Sequence, residues 1–166
     1  MGIFNGDIEK LATDVLEQCR QKKWQLATAE SCTGGLIGGA LTDIAGSSDV
    51  FDRGFITYSN KAKARVIGVS TEVLREHGAV SEETAREMAL GALKTAGANL
   101  TVAVTGIAGP GGGGPGKPVG LVHFAVATED GVAEHRKMEY GDLGRSEVRL
   151  ATVKTALEML LAAASR

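Results

Sequence analysis

LTVAVTGI, residues 100–107, is a nearly continuous apolar run, and it decides the fold class. A short run without polar alternation belongs to a strand covered on both faces, so it sits inside a sheet with helices on either side. The flanking segments agree. Upstream, Ser81 is placed to cap a helix whose face is Ala85, Met88, Ala89, Ala92, Leu93 and Ala96. Downstream, VGLVHFAVAT (119–128) and VAEHRKMEY (132–140) read as strands, and the Asp130-Gly131 pair between them predicts a hairpin. The second of these strands is mixed in polarity, as at a sheet edge.

Toward the N-terminus, Ile8, Leu11, Val15 and Cys19 share one face of a helix over 7–22, and residues 24–29 read as a short strand. Leu36, Ile37, Ala40, Leu41 and Ile44 predict a second helix starting near residue 32. RGFITYS (53–59) predicts a second strand, and a last helix runs from about 146 to 164. Helices thus alternate with strands, which implies an α/β fold with a mostly parallel sheet and one antiparallel hairpin partner. No internal repeat or domain boundary is evident.

At 166 residues, 43% hydrophobic and 23% charged, the chain reads as one soluble globular domain with a sizeable core. A formal net charge of -2 provides no basic surplus for neutralising phosphates, which argues against direct nucleic-acid binding. No run of 18 apolar residues suggests a membrane span, and MGIFNGDIEK lacks the charged-then-apolar order of a signal peptide. The only cysteines, Cys19 and Cys32, have no metal-ligand spacing, so no metal or cofactor is expected and a reducing cytoplasm is the default.

GPGGGGPGKP (109–118) superficially matches two nucleotide motifs. The P-loop reading fails at Pro118, where a magnesium-binding Ser or Thr is required, and because the loop leads into a strand rather than a helix. The dinucleotide fingerprint fails for the same lack of a helix. A flexible connector and a substrate-facing loop remain, and Thr105-Gly106-Ile107-Ala108-Gly109-Pro110, directly after the central strand, favours the second.

TAESCTGGLIGGAL (28–41) joins a strand to a helix through a second glycine-rich turn. Ser31 therefore stands at a strand's C-terminal end near a helix start. The backbone N–H groups of Cys32, Thr33 and Gly34 would be free there to form an oxyanion hole. The plainer alternative is that Ser31 or Thr33 only caps the helix. Cys32 is a competing nucleophile, although its side chain is expected to point toward the helix packing face. A nucleophilic serine needs a base. His123 and His135 fall within predicted strands, and His77 precedes Gly78 at a helix end. Lys61 and Lys63, in TYSNKAKARVIGV (57–69) with Tyr58 just before them, are the other option. A lysine is a base only when neutral, which requires burial. Spacing alone does not choose between the two.

TAESCTGG, GSSDVFDRGFITYSN, HGAVSEETAREMA and TGIAGPGGGGPGKPVGLVHFAV, in that order, resemble the CinA C-terminal domain family, the nicotinamide-nucleotide amidohydrolases (NMN deamidases). The resemblance covers about residues 8–162. It implies a single domain over 1–166 without the separate N-terminal domain of longer CinA proteins. It also implies a three-layer α/β/α sandwich with a mostly parallel five-stranded mixed sheet, order 2-1-3-4-5 with one antiparallel strand. The implied reaction is hydrolysis of the carboxamide of nicotinamide mononucleotide (NMN) to nicotinate mononucleotide and ammonia. The family's serine falls on Ser31, its lysine on Lys63 and its tyrosine on Tyr58, with the proton moving directly or through Tyr58. Lys61 stands where the family often has Glu. The family's Gly-Asp-Arg is here Gly141-Asp142-Leu143-Gly144-Arg145, with two residues intervening. A homodimer is also implied.

In that strand order Ser31, Tyr58, Thr105 and Gly106 follow strand C-termini and would converge on one crevice, with Gly109 in the loop beyond. For the substrate phosphate, Gly46, Ser47 and Ser48 offer N–H groups and hydroxyls, and Arg145 a charge. Two rival readings stand beside the deamidase: a non-catalytic protein-binding module linked to competence or DNA damage, and an amidase for another small amide.

Overall fold

Leu100–Gly106 forms β3, the central strand of a five-stranded sheet in the computed structural model, which describes residues 2–166 and so leaves Met1 of the N-terminal stretch outside. The elements in chain order are α1 (Gly6–Lys22), β1 (Leu26–Glu30), α2 (Leu36–Thr42), β2 (Phe51–Ile56), α3 (Asn60–Ile67), α4 (Thr71–His77), α5 (Glu82–Ala96), β3, β4 (Leu121–Thr128), β5 (Gly131–Glu139) and α6 (Arg145–Ala164). The sheet order is β2-β1-β3-β4-β5. β1 runs parallel to β2 and β3, while β4 is antiparallel to both β3 and β5. β4 is therefore the one reversed strand of the expected mixed sheet, and β5 is the expected edge.

The two faces of the sheet carry different side chains, and this sets the layers. Leu100, Val102 and Val104 of β3, with Val122, Phe124 and Val126 of β4, pack against α1, α2 and α6. On the other face Ala103, Ala125 and Ala127 meet Ala85, Met88, Ala89 and Ala92 of α5, with α3 and α4 outside it. Alanine on both sides lets α5 lie close to the strands, and Thr101 Oγ1 donates to the Ala89 carbonyl across that narrow gap at 2.8 Å.

Several boundaries differ from the periodicity, and those of β1, β2 and α2 bear on the site. β1 starts at Leu26, so Trp24 and Gln25 belong to the turn before it. β2 spans Phe51–Ile56 rather than 53–59, because Thr57, Tyr58 and Ser59 leave the sheet and Ser59 caps α3 by accepting from the Ala62 N–H at 3.0 Å. α2 begins at Leu36, not near 32. Gly34 and Gly35 have φ of +59° and +103°, a conformation open to glycine at little cost, and it breaks the chain before the helix can start. That break shapes the site.

Candidate active site

β1 delivers Ser31. Its N–H still donates to the Val104 carbonyl of β3 at 3.2 Å, so the residue is held to the sheet even though it lies past the strand's end. The turn after it closes on itself, with the Gly34 N–H donating to the Ser31 carbonyl at 3.0 Å. Gly34 is thereby withdrawn from the expected trio of oxyanion donors. Among the described residues, no protein acceptor pairs with the Cys32 or Thr33 N–H. Their open amides are the surviving donors.

Beneath the turn lies Glu30, a residue that no sequence motif singled out. Its side chain is buried, at 1% exposure. The carboxylate accepts five hydrogen bonds, from the Thr28 and Thr33 hydroxyls and the N–H groups of Gly35, Ile37 and Gly38, at 2.6–3.2 Å. The free amides at the start of α2 would ordinarily attract a substrate anion. Here the protein's own carboxylate fills that position, so these amides are not open to an external anion. A glutamate at a strand end just before a glycine-rich helix start was the available signal.

Lys63 comes from α3 on the opposite layer. It is fully buried. Its Nζ lies 3.1 Å from Ser31 Oγ, 2.8 Å from the Thr57 carbonyl and 3.3 Å from the Tyr58 carbonyl. A neutral amine has two N–H bonds and one lone pair. In the neutral form the two carbonyls would take the two N–H bonds, leaving the lone pair for the serine hydroxyl; in the charged form Nζ donates to all three oxygens. Burial lowers the Lys63 pKa from 10.5 to about 8, because the charged form loses its hydration. No ion pair to a carboxylate counters this among the described residues. Lys61 is exposed on the outer side of α3, beside Ala64, Leu74 and Arg75. Helical phase thus turns Lys63 toward Ser31 and Lys61 away from it.

These groups open into a crevice of about 440 Å³, lined also by Cys32, Tyr58, Thr105, Gly106, Gly109, Arg145 and the chain at 79–80, 107–108 and 110–112. Half of the glycine-rich loop thus faces the crevice. Its remainder turns back through a Gly114–Lys117 bridge, and Lys117 Nζ donates to the His77 carbonyl at 2.8 Å. Thr105 Oγ1 ties the floor to the α4–α5 connection by donating to the Ala79 carbonyl at 2.7 Å. Gly106 is needed for strand approach, since a Cβ there would stand 2.8 Å from the Leu121 carbonyl oxygen. Arg145, the first residue of α6, donates to the Gly109 carbonyl at 2.8 Å and to the Tyr58 hydroxyl at 3.3 Å.

Several expected roles change. Tyr58 meets Lys63 through its carbonyl, while its hydroxyl pairs with Arg145. The phenol therefore has no hydrogen bond to Lys63 or Ser31, whereas Lys63 Nζ and Ser31 Oγ are in direct contact at 3.1 Å. Cys32 is a poor rival nucleophile, because burial in the core raises its thiol pKa to about 11. Thr33 contributes its amide but not its side chain, which is bound to Glu30. Gly46, Ser47 and Ser48 are not at the crevice. They form the turn that enters β2, where the Gly46 carbonyl accepts from Arg20 and Gln25 reaches the Asp49 carbonyl. Because β2 is parallel to β1, this turn lies at the opposite end of the sheet from Ser31. None of the three histidines lines the crevice. His123 and His135 pair with each other at 3.0 Å, and burial lowers the His123 pKa to about 4. Arg149, four residues beyond Arg145, was also missed, and its Nε and Nη2 donate to the Cys32 and Thr33 carbonyls at 3.0 and 3.2 Å.

One buried side-chain oxygen in the described residues has no partner, Thr57 Oγ1. Thr57 is fully buried, so the unpaired hydroxyl is a net cost to folding. Thr57→Val keeps the shape and removes that cost. The expected result is a gain of about 1 kcal/mol, seen as a melting temperature a few degrees higher. A lower melting temperature would mean that the hydroxyl has a partner.

Similarity to known proteins extends over nearly the whole chain. The CinA C-terminal domain family model matches residues 8–164. The chain is 49% identical over 155 residues to a protein of Enterobacter agglomerans named nicotinamide-nucleotide amidohydrolase PncC, covering 93% of each chain. It is 51% identical over 158 residues to the CinA-like protein of Synechococcus sp. (strain RCC307), of which it spans 38% of the length. A crystal structure of the competence/damage inducible protein CihA from Agrobacterium tumefaciens superposes with a TM-score of 0.96 at 58% identity, over 100% of both chains. With the five-stranded order, the serine turn after β1 and the match over nearly the whole sequence all in agreement, this chain belongs to the CinA C-terminal domain family.

Proposed function

We propose that this protein hydrolyses the carboxamide of NMN to nicotinate mononucleotide and ammonia, a step in pyridine nucleotide recycling, with Ser31 as nucleophile and Lys63 as base. The observation that carries the reading is the buried Lys63–Ser31 contact of 3.1 Å, with the two other directions at Nζ taken by carbonyls. The PncC name of a relative 49% identical over 93% of each chain supports the substrate.

Neutral Lys63 accepts the Ser31 proton as Oγ attacks the carboxamide carbon. The N–H groups of Cys32 and Thr33 hold the resulting oxyanion, and a positioned donor of this kind contributes about 100-fold or more to the rate. Lys63 then gives its proton to the amide nitrogen, the C–N bond breaks and ammonia leaves an acyl ester on Ser31. Water attacks the ester after losing a proton to Lys63. The proton returns to Ser31 Oγ as the acid departs. Arg145 is the phosphate anchor, because Glu30 fills the start of α2 and the 46–48 turn is at the far end of the sheet. A homodimer, a cytoplasmic setting and no direct binding of nucleic acid complete the reading.

The test is ammonia release from NMN, nicotinamide and glutamine, assayed from about pH 6 to about pH 10. Release from NMN alone is expected, with kcat rising as pH passes about 8 and Lys63 loses its proton. Release from none of the three amides would leave the competence-linked binding module as the surviving reading.

A further inference from the structure

The oxyanion donors need an orientation as well as a location. A peptide unit is planar and trans, so its N–H points opposite to its C=O. Fixing a carbonyl therefore fixes the amide on the same unit. The Ser31–Cys32 unit is fixed by the Gly34 N–H, which donates to the Ser31 carbonyl. The Cys32–Thr33 unit has no backbone partner among the described residues. Its carbonyl is taken by Arg149 Nε at 3.0 Å, while the next carbonyl, Thr33, accepts both Arg149 Nη2 at 3.2 Å and the Leu36 N–H at 3.1 Å.

Nε and Nη2 belong to one rigid guanidinium, so a single planar group grips two successive carbonyls and aligns them. The 32–33 unit is the one in the turn held by no backbone bond, its neighbours being fixed by Gly34 N–H to Ser31, Leu36 N–H to Thr33 and Gly35 N–H to Glu30. Gly34 and Gly35 come next, both with positive φ, and glycine allows the peptide units here to rotate at small cost. Arg149 itself is half-buried on α6 and does not line the crevice, so its contacts are with the turn and not with the substrate's space. Arg145, four residues earlier on the same face, is the one that reaches the crevice.

We propose that Arg149 is a positioning residue that holds the 32–33 peptide with its N–H turned away from α6, keeping the Thr33 amide open beside that of Cys32 to receive the oxyanion. This rests on the Ser31–Lys63 hydrolase reading. An oxyanion contact is made in the transition state and not with the bound amide, so its loss lowers kcat and leaves KM nearly alone.

The experiment compares wild type, Arg149→Met and Arg149→Lys in NMN hydrolysis, with thermal melts of all three. Arg149→Met is expected to lose about 100-fold or more in kcat with KM changed less than about threefold. Added ethylguanidine is expected to restore part of the lost rate. Arg149→Lys is expected to fall between the two, because an ammonium is a point donor that cannot span both carbonyls as the fork does. Unchanged kcat in Arg149→Met would overturn the proposal, as would a raised KM at constant kcat, which would make Arg149 a substrate contact. A lower melting temperature with neither a kcat loss nor rescue would leave it a structural residue and overturn the proposal too. If Arg149→Met does not fold, Arg149→Lys carries the same kcat-against-KM comparison. Wild type inactive on NMN would defeat the hydrolase reading instead. In that case a crystal structure of the Arg149 variant decides, a rotated 32–33 peptide upholding the positioning role and an unmoved one rejecting it.

Discussion

Ser31→Ala is expected to abolish ammonia release from NMN, by at least about 10⁴-fold, and to leave the protein folded. On the proposed mechanism the size follows from removing the atom that would form the covalent intermediate, for which water in the same crevice is a poor substitute. Folding should barely notice. The side chain lost is small, and the only hydrogen bond it makes in the described residues is the one with Lys63. The Ser31 N–H keeps its bond to Val104, the Gly34 N–H keeps the Ser31 carbonyl, and Lys63 retains both backbone carbonyls. Ammonia release and a thermal melt on one preparation check both halves. Turnover near the wild-type rate in a folded variant would remove the serine from the mechanism.

Lys63→Met should also be inactive, by about 10³-fold or more, and it should be more stable than wild type at neutral pH. The two effects share one cause. A fully buried amine is kept without a carboxylate partner, and the penalty for charging it lowers its pKa from 10.5 to about 8. That displacement corresponds to about 3 kcal/mol. The folded value lies below the unfolded one, so between about pH 8 and 10.5 the unfolded chain binds more protons, and wild-type stability rises with pH across that window. Below about pH 8 the full penalty applies. Met fills similar space and carries no charge, so its advantage is largest at neutral pH and fades toward pH 10.5. The Thr57 and Tyr58 carbonyls lose their donor, which offsets the gain by about 1 kcal/mol each. Melts at about pH 7 and about pH 10 read this directly. Lys61→Met, on the exposed side of α3, should change neither activity nor stability appreciably. An inactive Lys61 variant beside an active Lys63 variant would reverse the assignment.

The architecture was legible where the pattern is one-dimensional. The apolar run at 100–107 is a strand covered on both faces, Ser81 caps α5 by accepting from the Thr84 N–H, and Asp130-Gly131 turns β4 into β5. The last helix was expected one residue from where α6 starts. Boundaries failed where a local conformation overrides periodicity. The positive φ of Gly34 and Gly35 delays α2 by a turn, and the departure of Thr57 from the sheet shortens β2 and sends Lys63 back to the serine.

What the chain alone determined is which segments are strands and helices, and that a serine follows the first strand with a lysine pair beyond the second. These depend on neighbours within a few residues, which a linear pattern records. What only the tertiary structure shows is that Lys63 and not Lys61 lies against Ser31, that the Gly34 N–H is taken up within the turn, that Gly46, Ser47 and Ser48 lie at the other end of the sheet, and which groups Glu30 and Arg149 contact. For Lys63, the 46–48 turn and Arg149 this depends on which end of a parallel strand a turn occupies or on which layer a helix packs against. The Lys63 and Arg149 contacts are set by burial of the two unlike faces of one sheet, over separations of 32 and 117 residues, whereas Gly34 and Glu30 are placed by the turn's own backbone conformation. Charge and hydrogen bonding at that range follow from the packing and leave no periodic trace in the sequence.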